Sequence, residues 1–407
     1  MATTEEELPL AFNPFDPEFK ANPYPTYARL RAEDPVHESP LGFLVLTRYA
    51  DATTLLRDPR GSSDNTKSEA FNALVDAGEV DAEDAGRRPF LFMDPPDHTR
   101  LRGLVSKAFT PRSIEQLRER AQQLADELVG AMVGKDEVDV IADLAYPLPL
   151  TIISDMLGVP RADEERFRGW SHALARSLDP DFLLPPEAVA AREQAIDEFA
   201  DYFHELIDDR RRTPRDDMLT RLVEAEEAGD KLSEDELLST CILLLVAGHE
   251  TTVNLIANGV LAFARHPDQR ARLQEDPSLI KSAIEEILRY DPPVQMTGRL
   301  AMEDIVLAST TLPKDGFAIT LLGAANHDPE QFSSPDEFDI SRSPNAHLAF
   351  SLGHHFCLGA SLARMEGQVA ISTFVRRHAR FEVAADELTY KDNLVLRGLT
   401  ALPVSFS

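Results

Sequence analysis

The sequence predicts a mainly α-helical protein with small β-sheets, and three observations predict it. From about residue 98 to 290, apolar residues recur at three- and four-residue spacing, the period of amphipathic helices. One segment in that stretch has a start signal and a stop signal about 30 residues apart, or ~50 Å of helix at 1.5 Å per residue. Strand-like runs are short and confined to about 35–60, 292–325 and the C-terminus. Residues 1–407 read as one domain, with a further helix at about 357–378.

The elements follow in order. "NPFDPEFKANPYPTYARLR" reads as a loop and then a short helix, and "GFLVLTRY" (Gly42–Tyr49) as a strand. Residues 60–90 are polar, acidic and small, which suits a mobile connection with one short helix. "SIEQLRERAQQLADELVGAMV" and "REQAIDEFADYFHELIDDRRR" are amphipathic helices, and the proline-rich "SLDPDFLLPPEAVA" (Ser177–Ala190) breaks the pattern between them. The most informative helix is "KLSEDELLSTCILLLVAGHETTVNLIANGVLAFARHP". Ser233 and Glu236 fit a capping box at its start, and Pro267 stops it. It is apolar on nearly all sides through its middle, so it should cross the core. "DIVLASTTLPKDGFAITLLGAANHD" predicts a hairpin turning around Pro313 and Gly316, and "VLRGLTALPVSF" reads as strand.

Composition narrows the function classes. The net charge is −29, from 41 basic and 70 acidic residues, which disfavours nucleic acid and anionic membranes as partners. Two cysteines, Cys241 and Cys357, are too few for a disulfide framework and suit a reducing cytoplasm. The first residues lack the features of a signal peptide. The longest unbroken apolar run, "CILLLVAG", is far short of the ~20 residues that span a bilayer.

Chemistry concentrates in "FSLGHHFCLGASLAR". A lone cysteine is ordinarily a small buried apolar side chain, and Cys241, inside a helix with no motif, reads that way. No CxxC or HxxxH accompanies Cys357, so zinc is disfavoured. Gly353 and Gly359 flank Cys357 and permit close backbone approach to something flat. Phe350 can shield the sulfur. A helix beginning at the cysteine would offer N–H groups that favour an anionic sulfur. Thiolate is one of the axial ligands of haem iron.

"FSLGHHFCLG" resembles the haem-binding signature of the cytochrome P-450 family, with Phe350, Gly353, His355, Cys357 and Gly359 at its fixed positions. The resemblance runs through the chain in family order and implies a helical P-450 fold holding haem b, with Cys357 on the iron. "DHTRLR" places His98 and Arg102 one helical turn apart; the resemblance makes them propionate partners, together with Arg299 and His355. "EEILRY" pairs Glu286 with Arg289, and the resemblance adds Arg342 as the third member of a structural ion-pair set. "AGHETT" puts an acid and a hydroxyl in the most apolar helix; Ala247 and Gly248 match the haem-facing turn, and Glu250 and Thr251 the acid–alcohol pair that passes protons.

The implied function is a monooxygenase inserting one atom of dioxygen into a hydrophobic small molecule. The implied partner is a ferredoxin or flavodoxin-type donor with an NAD(P)H reductase. Nucleic acid and membrane are not expected as partners, and the protein should be a cytoplasmic monomer. Arg100, Lys107, Arg112 and Arg364 are expected to form a basic docking patch on the thiolate side. The substrate pocket is expected to include Phe92, Phe182, Leu183, Val294, Met296, Leu394 and Val395. Rival readings are a haem-based ligand-binding protein, or a peroxide-using or non-oxygenating enzyme of the same fold; the relay argues against the first. The sequence departs from the family pattern at Ser351, His354 and His327.

Overall fold

The computed structural model describes residues 12–78, 88–179, 184–227 and 232–406. Helices dominate, as the periodicity predicts. The strands are β1 Val36–Glu38, β2 Leu44–Leu46, β3 Gly61–Ser62, β4 Glu137–Asp139, β5 Met296–Ala301, β6 Ile305–Val306, β7 Thr311–Leu312, β8 Phe317–Leu321, β9 Phe381–Val383 and β10 Pro403–Phe406. They form a five-stranded sheet ordered β1-β2-β8-β5-β3, a three-stranded sheet β4-β10-β9 and the pair β6-β7. In the large sheet β2 and β8 run parallel, with Val45 opposite Ile319, and its other pairs are antiparallel.

The axis of the molecule is the helix Glu234–Arg265. Its start is the capping box: the Ser233 hydroxyl accepts from the Glu236 amide, and the Glu236 carboxylate accepts from the Ser233 amide. Its end is His266, after which Pro267 opens the next helix. The two halves of the helix enter different cores. Leu237 to Val246 pack with the helices Pro147–Leu157, Glu164–Ala175 and Pro186–Arg212. Val253 to Phe263 pack with Pro111–Gly130, Ile280–Tyr290 and Ala360–Arg377. Gly259 permits the second packing, because a Cβ there would lie 2.5 Å from Ile371 Cδ1.

Four local expectations need correction. The 35–60 region is not all strand: Tyr49–Arg57 is a helix between β2 and β3. The final helix begins at Ala360, not at Cys357, because Gly353–His355 forms a short 3-10 turn and Gly359 caps the helix. Pro313 and Gly316 do make a turn, but the strands they join belong to different sheets. The β6-β7 hairpin instead closes where the Leu307 amide donates to Thr310 O. At the C-terminus only Pro403–Phe406 is strand, while Leu396 and Leu399 make isolated bridges. In the polar 60–90 segment, Glu69–Asp76 is the short helix, and residues 79–87 lie outside the described residues.

Candidate active site

Between its two cores the long helix opens. Ala247 is exposed and Gly248 and Thr251 are half-buried, whereas His249 and Glu250 are buried. A helix packed on all sides that uncovers one turn marks a cleft. Gly248 sits in ordinary contact with Ile153, 3.4 Å from where its Cβ would be.

The thiol loop is built by backbone rules. The Cys357 amide donates to Phe350 O at 2.9 Å, closing the loop on the buried Phe350 ring. Gly353 has φ +70°, and a Cβ there would run into the carbonyl of Leu56, so glycine lets the loop seat on the helix Tyr49–Arg57. Gly359 leaves the sulfur uncrowded, with Cys357 Sγ 4.0 Å from its would-be Cβ. Burial pushes the Cys357 thiol up; the Gly359 amide, the charges of Arg102 and Arg364 and the Ala360 amide draw it part-way back. A coordinating metal ion deprotonates such a thiol outright. Cys241 is fully buried and burial pushes its thiol up, as for an inert core cysteine.

Four basic side chains converge near this loop. The His98 and His355 rings lie 4.3 Å apart. Arg102 donates to Phe356 O, and its charge is felt by His98, His355 and Cys357. Arg299, 6% exposed, hydrogen bonds only Thr297 Oγ1 and Gly298 O, with no ion pair among the described residues. Burial pushes its pKa down to about 10. Burial, then the charges of Arg299 and His98, pushes His355 down to about 3. Both ring nitrogens of His98 are buried without a hydrogen-bond partner among the described residues. Unpaired buried cations and imidazoles are costly. The arrangement fits a flat dianion with its carboxylates here and a metal at Cys357, which is what haem brings.

The acid–alcohol pair is not linked side chain to side chain. Thr251 Oγ1 donates to Ala247 O at 2.6 Å, back-bonded to its own helix. The Glu250 carboxylate receives Lys391 Nζ at 2.6 Å, and the same ammonium reaches Asn254 Oδ1 at 3.3 Å. One residue after Thr251, Thr252 bonds the buried Glu366, whose carboxyl burial pushes up to about 8. Sequence reading missed Lys391 and Glu366. No local spacing signals Lys391, which stands 141 residues from Glu250.

Glu286 is the hub of the ion-pair set. Arg289 grips it with two bonds of 2.8 Å, and Arg342 Nε lies 3.1 Å from both its oxygens. Asn345 and the Asp339 amide complete the shell. His327 bonds Asp336 at 3.0 Å and Tyr290 O at 2.9 Å; His354 is exposed.

The expected pocket residues fall in several places among the described residues. Phe92 is half-buried in the turn Phe90–Phe92. Met296 is 6% exposed and packs in the sheet core with Tyr27, Val45 and Leu321, because strand alternation turns it inward. Val395 packs on that cluster, and Val294 on Leu56, Leu322 and Leu348. Leu394 lines a small hollow beside Phe19 and Lys391. Phe182 and Leu183 lie outside the described residues. The basic patch also shrinks. Arg100 is bound to Glu236, and Arg364 to Glu285 at 2.7 and 2.8 Å, which leaves Lys107 and Arg112 exposed.

Comparison with known proteins gives the family. The family model described as cytochrome P450 matches residues 65–403. The chain is 44% identical over 374 residues to "Cytochrome P450 CYP107DY1" of Priestia megaterium, covering 89% of each chain. It is 42% identical to "Cytochrome P450 monooxygenase PikC" of Streptomyces venezuelae, covering 95% of this chain and 92% of that one. Its fold is similar to the ligand-free crystal structure of Mycobacterium smegmatis CYP164A2, with a TM-score of 0.88 and 44% identity over 96% of this chain and 97% of that one. With a family match over most of its length and relatives this similar from end to end, the chain belongs to the cytochrome P450 family of haem–thiolate monooxygenases.

Proposed function

We propose that Cys357 is the iron ligand and that His98, Arg102, Arg299 and His355 hold the haem carboxylates, beneath the open turn Ala247–Thr251. The observation that carries this is the cluster of buried basic groups, two of them without a hydrogen bond or ion pair to an acidic side chain among the described residues: the His98 imidazole and the Arg299 guanidinium, near which Asp94 is the acidic charge. When bound, haem supplies dioxygen activation, the chemistry by which one oxygen atom enters a C–H bond or a double bond of the substrate. The chain does the rest. Phe350 shields the sulfur, the two cores exclude water, Glu250 is the acid from which protons are drawn, and the Thr251 hydroxyl passes them into the cleft. The substrate is a hydrophobic small molecule such as a macrolide, steroid, terpenoid or fatty acid.

Electrons come from a separate redox partner, and we infer a small acidic ferredoxin or flavodoxin-type protein fed by an NAD(P)H reductase, meeting a cytoplasmic monomer. Lys107 and Arg112 are exposed, and so is Phe356 next to Cys357 in the chain, which gives the partner basic and apolar contacts to use. The deciding experiment is the reduced carbon monoxide spectrum. The loaded protein should show a red-shifted Soret band that Cys357→Ser abolishes. The same band in Cys357→Ser would refute the ligand assignment.

A further inference from the structure

Lys391 and Glu250 come from distant parts of the chain, yet their side chains are only 11% and 3% exposed and meet at 2.6 Å. Charges are not buried in this way without consequence, since each carries a desolvation cost that the other helps to offset. Several features fix the lysine in place. Its amide donates to Gly398 O at 2.9 Å. Gly398 lies against Asn254 so closely that a Cβ would run into the amide, so glycine lets the C-terminal segment close on the long helix at this point. The neighbouring Asp392 pairs with Lys20 and lies 3.7 Å from Arg176. Asp179 accepts from the amides of Leu394 and Val395 at 3.0 Å each. The groups facing Glu250 include Lys391 from this segment and, from its own helix, Asn254 through the shared ammonium and His249, whose Nδ1 is 4.0 Å away.

Behind Lys391 lies a hollow of about 30 Å³, lined by Lys20, Gln295, Tyr390, Lys391 and Asn393. That is room for water. The Asn393 amide nitrogen is buried without a protein partner among the described residues, which gives such a water a bond to make.

We propose that Lys391 is a positioning residue for the relay acid: it holds Glu250 as a carboxylate turned to the C-terminal segment, and it is itself part of the wall of a hollow with room for water. Between turnovers Glu250 then stores no proton and must be recharged before it serves the relay. The inference rests on the assignment of Glu250 as the relay acid, but it is tested without turnover. Infrared difference spectra of the haem-loaded protein read the carboxyl directly. Lys391→Met should create a C=O stretch of a protonated carboxyl that is absent from wild type, suppressed in Lys391→Arg and lost in the K391M/E250Q double variant. No new band in Lys391→Met overturns the proposal, and so does a protonated band in wild type that Glu250→Gln removes. The second comparison stands even if Lys391→Met does not fold. A missing red-shifted Soret band would strike the haem assignment instead, and it leaves the infrared result readable.

Discussion

Ser351 has a left-handed backbone, φ +57°, and its hydroxyl is buried without a partner among the described residues. A side chain in that conformation costs roughly 1–2 kcal/mol, and the entropy of an added glycine takes back roughly 0.5–1 kcal/mol. Ser351→Gly should therefore raise the melting temperature without disturbing the Soret band. Glu366 carries a second prediction. The unfolded chain loses this proton above the ordinary 4.5, whereas the fold keeps it up to about 8. The folded state thus binds more protons between those values, and stability falls as pH rises through the window. Glu366→Gln should flatten that slope and add about 3 kcal/mol near pH 7, at 1.36 kcal/mol per unit. Thr251→Ala should leave ligand binding intact and divert consumed oxygen to peroxide, measured as product per NAD(P)H; equal product would remove the hydroxyl from the relay. The thiol loop was legible in the sequence because glycine spacing is a local constraint. Lys391 and Glu366 were not, because burial and a partner far along the chain give a residue its meaning.

Among the elements, the long helix was readable to within a residue at each end, since capping and proline act locally. Ser233→Ala should cost about 1 kcal/mol. Glu236→Ala should cost more, because the same carboxylate also takes Arg100, tying the helix Asp97–Ser106 to the long helix. Comparing the two denaturation midpoints checks the order. The small strands were harder to read. "LAST" at 307–310 turns a hairpin without glycine or proline, while the residues that normally mark turns, Pro313 and Gly316, join strands of two different sheets. Pairing partners rather than local composition decide which sheet a two-residue strand joins. The helix expected at Cys357 failed for a related reason. The loop needs its backbone to reach Phe350 O, so helical bonding waits until Ala360.

At the scale of the molecule, Glu286 fastens the 333–345 loop to the helix Ile280–Tyr290, since Arg342 also donates to Ser333 O, Ser334 O and Glu337 O. Arg342→Ala leaves Glu286 paired with Arg289 but takes a donor from three loop carbonyls, so it should cost about 1–3 kcal/mol and should loosen the thiol loop that follows. On the outer surface, Lys107→Glu should slow electron delivery from an acidic partner and flatten its salt dependence. Charge reversal at Arg364 acts through lost packing, because that guanidinium is held by Glu285 and stacks 4.5 Å over Phe350. The unsatisfied basic groups beside the thiol loop also bear on how the protein is made. Their buried polar atoms lack partners until an anion arrives, so cofactor capture completes assembly. The yield of soluble chain in a producing cell should track the supply of haem precursor, and starved cells should accumulate a form that proteases open first at the cleft.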